Sequence, residues 1–176
     1  IAARPTGDAM VTGTANHALA ILTADCVPVL FAEPSAGLVG AAHAGWRGSL
    51  DGILGTIIAR MIDKGAIPKQ IKAVIGPAIQ QVNYEVGDDL RSQVLRAHPN
   101  ALGLFISEKA GKYRFDLPGF VEMCLRAVGL DQIHNLGIDT YDESSGLFSH
   151  RQTTHAALPD SGRQISVIGI LSKAGG

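Results

Sequence analysis

Only two cysteines, Cys26 and Cys124, occur in 176 residues. That is too few for a disulfide framework and points to a reducing, cytoplasmic setting. No surplus of either charge exists: 15 basic residues against 16 acidic ones leave a net charge of −1. Nothing in that balance calls for nucleic acid or an anionic membrane as partner. No apolar run approaches the roughly 20 residues of a membrane-spanning helix. Repeats, low-complexity tracts and linkers are missing too, so residues 1–176 read as one domain. No signal peptide is present, and the chain opens at Ile1 rather than Met. An N-terminal stretch is therefore expected to be lacking.

What is present suits an ordinary globular protein: 46% hydrophobic and 18% charged residues. The length allows one sizeable core. Leu19 to Thr23 and Val27 to Phe31 read as buried strand pieces around Ala24, Asp25 and Cys26. A third strand through Leu38 to His43 ends at the glycine-punctuated Ala44-Gly45-Trp46-Arg47-Gly48. Ser49 is the expected N-cap of the strongest helix, whose stripe is Leu50, Ile53, Leu54, Ile57, Ile58, Met61 and Ile62. Gly65 sits where a C-terminal cap belongs.

Beyond it, Ile71 to Ile75 reads as a strand. Val86, Leu90, Val94 and Leu95 suggest a second helix, and Phe120, Val121, Cys124, Leu125 and Val128 a third. Gln164 to Leu171 alternates like a closing strand. Helices and strands intermix without a βαβ rhythm, which predicts α+β or a mixed-sheet α/β fold.

Cys26 and His43 each stand where an apolar strand meets a polar or glycine-rich turn, the kind of place where function concentrates. A thiolate and an imidazole suit zinc, with copper as the alternative. Asp25 is placed to orient a ligand or move a proton. Arg47 and the backbone N–H groups of a helix starting at Ser49 would make an anion site. Each residue also has a plainer reading. A buried Cys at a strand end is most often a small core residue, and a His on an apolar strand is most often structural. Cys124, on a helix stripe, reads as core, and His98 as a helix-end residue. His134 and His155 carry no spacing signal.

The sequence words are more specific. Thr23-Ala24-Asp25-Cys26-Val27-Pro28-Val29-Leu30 and Ala42-His43-Ala44-Gly45-Trp46-Arg47-Gly48 closely resemble two signature segments of one family. That family is the multicopper polyphenol oxidase, or laccase-domain, proteins, also known as purine nucleoside phosphorylases. The likeness continues through Ile75-Gly76-Pro77-Ala78-Ile79, Tyr84-Glu85-Val86-Gly87, Phe115-Asp116-Leu117-Pro118, Phe148-Ser149-His150-Arg151 and Gly162-Arg163. It covers nearly the whole chain.

The resemblance implies a layered αββα sandwich with mixed sheets. It also implies a metal, usually zinc, on two histidines and one cysteine. Cys26 and His43 match two of these ligands. The third belongs to a His-Gly segment that precedes the region matching Gly7-Asp8-Ala9-Met10-Val11-Thr12 and is expected upstream of Ile1, since His17 falls on the wrong side of that region. Arg151 occupies the family's arginine position, and His150 is its neighbour. Asn83 departs from the small residues usual there.

Four functions follow as expectations. The first is metal-assisted phosphorolysis of adenosine, inosine or methylthioadenosine, with adenosine deamination as a second reaction. Phosphate would lie among Arg47, Ser49 and Arg151. The second is a cysteine hydrolase of amide bonds in cell-wall precursors, with Cys26 as nucleophile and His43 as base. The third is a copper-dependent polyphenol oxidase, for which six histidines without a His-Cys-His run are meagre. The last is a metal-binding protein without turnover.

Overall fold

A computed structural model describes residues 6–172. The molecule is organised around the hairpin of β3 (Val27–Glu33) and β4 (Leu38–Ala44), whose strands are almost wholly buried. A near-continuous apolar strand must be covered on both faces. Gly37, at φ +62°, turns the chain between the two strands. The Glu33 carboxylate ties this turn by accepting from the Ser35 hydroxyl and the Ala36 N–H.

Around the hairpin, β1 (Ala9–Thr12), β5 (Lys72–Ile75) and β9 (Gln132–Asn135) complete a five-stranded sheet of order β1-β4-β3-β5-β9. Every pairing is antiparallel except β5 with β9. The sheet is therefore mixed.

One face carries α2 (Ile53–Asp63). It lies close to the sheet because Gly40 has no side chain. A Cβ there would stand 3.2 Å from Ile57 Cδ1 and 3.3 Å from Met61 Sδ. α4 (Leu117–Ala127) packs beside α2 and against β3 and β9, with Asp116 as its N-cap accepting from Gly119 N–H at 2.8 Å. Phe31, Phe115, Phe120, Ile57, Ile58, Met61 and Leu125 are fully buried. Each is worth about 1.5–3 kcal/mol in apolar transfer.

The opposite face of the sheet is covered by β2 (Ala18–Thr23) paired with β10 (Gln164–Gly169). The outer side of this pair faces solvent among the described residues, with Leu22 and Ile165 each 60% exposed. β6 (Glu85–Gly87), β7 (Phe105–Lys109) and β8 (Lys112–Phe115) form a third, small sheet beside α3 (Asp88–Ala97). The mixed α/β class expected from sequence is present, with helices and three sheets, the largest of them mixed.

Four expectations are corrected. The helix expected to start at Ser49 is two helices, α1 (Trp46–Leu50) and α2. Gly45, in extended conformation, is the cap of α1, and Ser49 N–H already donates to Gly45 C=O at 2.9 Å. Gly52, at φ +86°, breaks the run before α2. Val86 belongs to β6, because Asp88 is the first residue of α3. The last strand stops at Gly169 rather than Leu171. The hairpin β7–β8, the strands β1 and β9, and α5 (His150–His155) had no counterpart in the sequence reading.

No described helix is long and apolar enough to cross a membrane.

Candidate active site

Cys26 stands one residue before β3, and His43 lies near the end of β4. The hairpin register pairs Val27 with Ala44 and Pro28 with His43, so the two chemically active residues share one end of the hairpin. Both line a cavity of about 270 Å³ together with Asp8, Gly45, Trp46 and Arg47. The Arg47 guanidinium carbon lies 4.4 Å from the centre of the Trp46 ring.

Asp8 had no role in the sequence reading. The pairing of β1 with β4 brings it to the cavity: His43 N–H donates to Asp8 C=O at 2.7 Å. Its Oδ1 lies 3.3 Å from His43 Nδ1. A carboxylate on Nδ1 sets the ring orientation and leaves Nε2 free as base or ligand.

Cys26 also lines a second cavity, of about 140 Å³, with Ala24, Asp25, Ile79, Tyr84, Leu117, His150 and Arg151. The cysteine is thus a wall common to two cavities. Its thiol is raised above the usual range by burial, then by the negative charges of Asp25 and Asp8, against a smaller pull from Arg163. Tyr84 is pushed up to about 12, first by burial and then by Cys26, and its phenol stays neutral.

Asp25 joins the second cavity to the rest of the fold. It adopts φ +81°, a left-handed conformation that costs a non-glycine residue energy. Its carboxylate accepts the Thr140 hydroxyl at 2.7 Å on one oxygen and the Arg151 N–H at 2.6 Å on the other. The Asp25 carbonyl accepts from Ile79 N–H at 3.1 Å. Buried and bonded at both oxygens, this carboxylate is a clasp that fixes neighbours.

Arg151 lies in this second cavity, away from Arg47's. Its Nη1 donates to Glu85 C=O at 2.8 Å, and its guanidinium carbon sits 5.3 Å from the Tyr84 ring centre. Ser49 joins neither cavity. It is 2% exposed, lines a separate space with Leu54, His98 and Cys124, and its hydroxyl has no partner there. The early start of α1 at Gly45 turns this side chain inward, so an anion cradle of Arg47, Ser49 and Arg151 together does not form.

Zinc takes three protein ligands even at an open catalytic site. Cys26 and His43 supply two suitable donors. Among the described residues no group of three or more His, Cys, Asp or Glu side chains is disposed to hold a metal. The described residues therefore fall one donor short. His17 lies against its own Ala15 carbonyl, His134 is on β9, and His155 meets the Tyr141 hydroxyl at 3.0 Å.

The family model described as multi-copper polyphenol oxidoreductase laccase matches residues 2–171. The chain belongs to that family. A relative in Rickettsia prowazekii named purine nucleoside phosphorylase is 41% identical over 93% of this chain and 68% of its own. Its namesake in Deinococcus radiodurans is 37% identical over 96% of this chain and 63% of its own. The structure of Bacillus licheniformis hypothetical protein YfiH superposes with a TM-score of 0.84 at 37% identity, covering 93% of this chain and 61% of that one. The chain spans about three fifths to two thirds of the length of these family members.

Proposed function

We propose that this chain carries the catalytic centre of a purine nucleoside enzyme that breaks the N-glycosidic bond by phosphorolysis. The observation that carries the reading is the pair of cavities meeting at Cys26, each with an arginine and an aromatic ring in its wall, Arg47 and Trp46 in one and Arg151 and Tyr84 in the other. A two-part substrate, anion plus heterocyclic nucleoside, matches two adjoining cavities that each offer a cation and a ring. The names of the Rickettsia and Deinococcus relatives support it.

In the reaction a phosphate oxygen attacks the anomeric carbon of the ribose. The glycosidic bond breaks, its electron pair passes to the base, and the base takes up a proton. The products are free base and ribose 1-phosphate. Arg47, an exposed residue on the wall of the cavity that also holds Cys26 and His43, meets the attacking phosphate with its guanidinium. His43, oriented by Asp8, can exchange a proton through Nε2. Zinc or copper on Cys26 and His43, with a further donor, and adenosine deamination both remain part of the proposal.

A second reading has one specific observation behind it. Asp8 and His43, in a cavity shared with Cys26, resemble a nucleophile, base and orienting acid. The upward shift of the Cys26 thiol opposes that reading, since the thiolate is the nucleophile.

The test is incubation of the chain, its metal content measured, with adenosine or inosine, with and without phosphate. Adenine or hypoxanthine formed only with phosphate supports phosphorolysis. Inosine formed from adenosine without phosphate shows deamination in its place. A covalent adduct on Cys26, found by mass spectrometry with an amide substrate, favours the hydrolase. Unconsumed nucleoside overturns the nucleoside reading.

A further inference from the structure

We infer that the outward face of the β2–β10 ribbon is a docking surface for one amphipathic helix, whatever reaction the site performs. The helix comes from the polypeptide that family members carry outside the segment they share with this chain. Register decides which side chains look outward. Leu22 stands opposite Ile165, Ala20 opposite Val167, and Ala18 opposite Gly169. These six are the exposed positions of the two strands and alternate with covered ones. No polar or charged side chain interrupts them. Leu171, 87% exposed, continues the alternation past the end of β10. The covered side of β10 carries Gln164 and Ser166 instead. That inverts the usual arrangement, in which an antiparallel sheet turns its polar residues to water. A sheet face of this composition is one that packs against another element.

Dimensions choose the occupant. Six residues of strand run about 20 Å, and two paired strands span about 10 Å. That is the footprint of one helix about 10 Å wide and roughly 13 residues long. An area on the order of 200 Å² falls far below the roughly 800 Å² per partner of a stable interface between copies. A helix also satisfies its own backbone hydrogen bonds, for which an apolar face offers no partners. Ala18, Ala20 and Gly169 let it approach, while Leu22, Ile165 and Val167 supply apolar bulk. Among the described residues the face stays open, with Val167 50% exposed. The shared segment accounts for 68% of the Rickettsia prowazekii relative and 61% of the Bacillus licheniformis protein. What is left over in each is ample for a helix of this length.

The test uses the stretch of the Rickettsia prowazekii relative outside the shared segment, made as a fluorescent polypeptide and titrated into the full chain. Anisotropy should show saturable one-to-one binding, and circular dichroism a gain of helix on mixing. Val167→Lys or Leu22→Lys sets an unpaired charge under the docked helix and should weaken binding about tenfold or more. Both side chains are at least half exposed, so neither change should alter the melting of the chain alone. Ile165→Lys serves if either variant fails to fold. Ile106→Lys, on the exposed side of β7, should leave binding within about twofold of wild type. No binding, or equal binding by the three ribbon variants, overturns the inference. Binding without gain of helix does so too, since it shows a strand added at a free edge. Sedimentation velocity of the chain alone should show a monomer. A dimer that Val167→Lys dissociates would show a second copy on this face and overturn the choice of occupant.

Discussion

Replacing Asp25 separates a clasp from a proton carrier. In Asp25→Ala the Thr140 hydroxyl, on a residue 1% exposed, and the Arg151 N–H both lose a charged acceptor. Hydrogen bonds to charged groups contribute about 1.5–3 kcal/mol each, so the loss of two should be about 3–6 kcal/mol. Alanine gains nothing from the φ of +81°, which it tolerates no better than aspartate. That loss is a large share of a domain stability on the order of 5–15 kcal/mol.

Asp25→Asn behaves differently. Its amide oxygen can accept from Arg151 N–H while its NH₂ donates to the Thr140 oxygen, whose hydroxyl turns away. Both bonds survive without charge, at a cost of about 1–2 kcal/mol. Urea titration followed by circular dichroism measures both variants. With a slope of about 2 kcal/mol/M, Asp25→Ala should lower the midpoint by roughly 1.5–3 M and Asp25→Asn by under about 1 M. A midpoint for Asp25→Ala within about 0.25 M of wild type refutes the clasp. So does an Asn variant as damaged as the Ala one.

Three further perturbations probe other parts of the account. Gly45→Ala leaves an allowed backbone but places a Cβ 3.0 Å from Cys26 Sγ; displacing the thiol should cut phosphate-dependent turnover about tenfold or more, and unchanged turnover contradicts the site. Gly52→Ala meets no atom within 4 Å yet must adopt φ +86°, so calorimetry should show a melting temperature lower by about 3–6 °C, from about 1–2 kcal/mol of left-handed strain. An unchanged melting temperature would show that this conformation is not required between α1 and α2. Burial lifts the Cys124 thiol from 9.0 to about 11; the unfolded chain ionises first, so stability is full below about pH 9 and falls as pH rises towards 11. Comparing urea midpoints at pH 8 and 10.5, Cys124→Ala should show a smaller fall than wild type, and equal falls would refute the burial effect.

The parts of the fold legible in sequence are those whose burial writes a pattern. β3 and β4 are nearly continuous apolar runs because both faces are covered. The buried positions of α2, Leu54, Ile57, Ile58 and Met61, form the expected stripe. Cys26 and His43 stood out because they end such strands. β7 and β8 left little trace, since most of their residues are exposed or half-buried and several are charged. α5, His-Arg-Gln-Thr-Thr-His, buries none of its residues and so has no stripe.

The misreading at Ser49 has a local cause. A serine before an apolar stripe is a good N-cap signal, but Gly45 had already started a helical turn, and Gly52 ended it. Asp8 was invisible for a different reason. Its position beside His43 depends on β1 pairing with β4 across some thirty residues, and no local pattern records that. Tyr84 was quoted as part of a sequence word, yet its place beside Cys26 and Arg151 arises only when the segment after Ile79 folds over the end of the hairpin.

On the proposed reading, glycosidic bonds are broken with phosphate in the two cavities that meet at Cys26. The direct measurement is the rate of hypoxanthine release from inosine across a range of phosphate concentrations, in wild type, Cys26→Ala and His43→Ala. The expected result is a rate that saturates with phosphate, equimolar ribose 1-phosphate, and near-complete loss in both variants while their circular dichroism is unchanged. Release that ignores phosphate, or a Cys26→Ala variant as active as wild type, would contradict it.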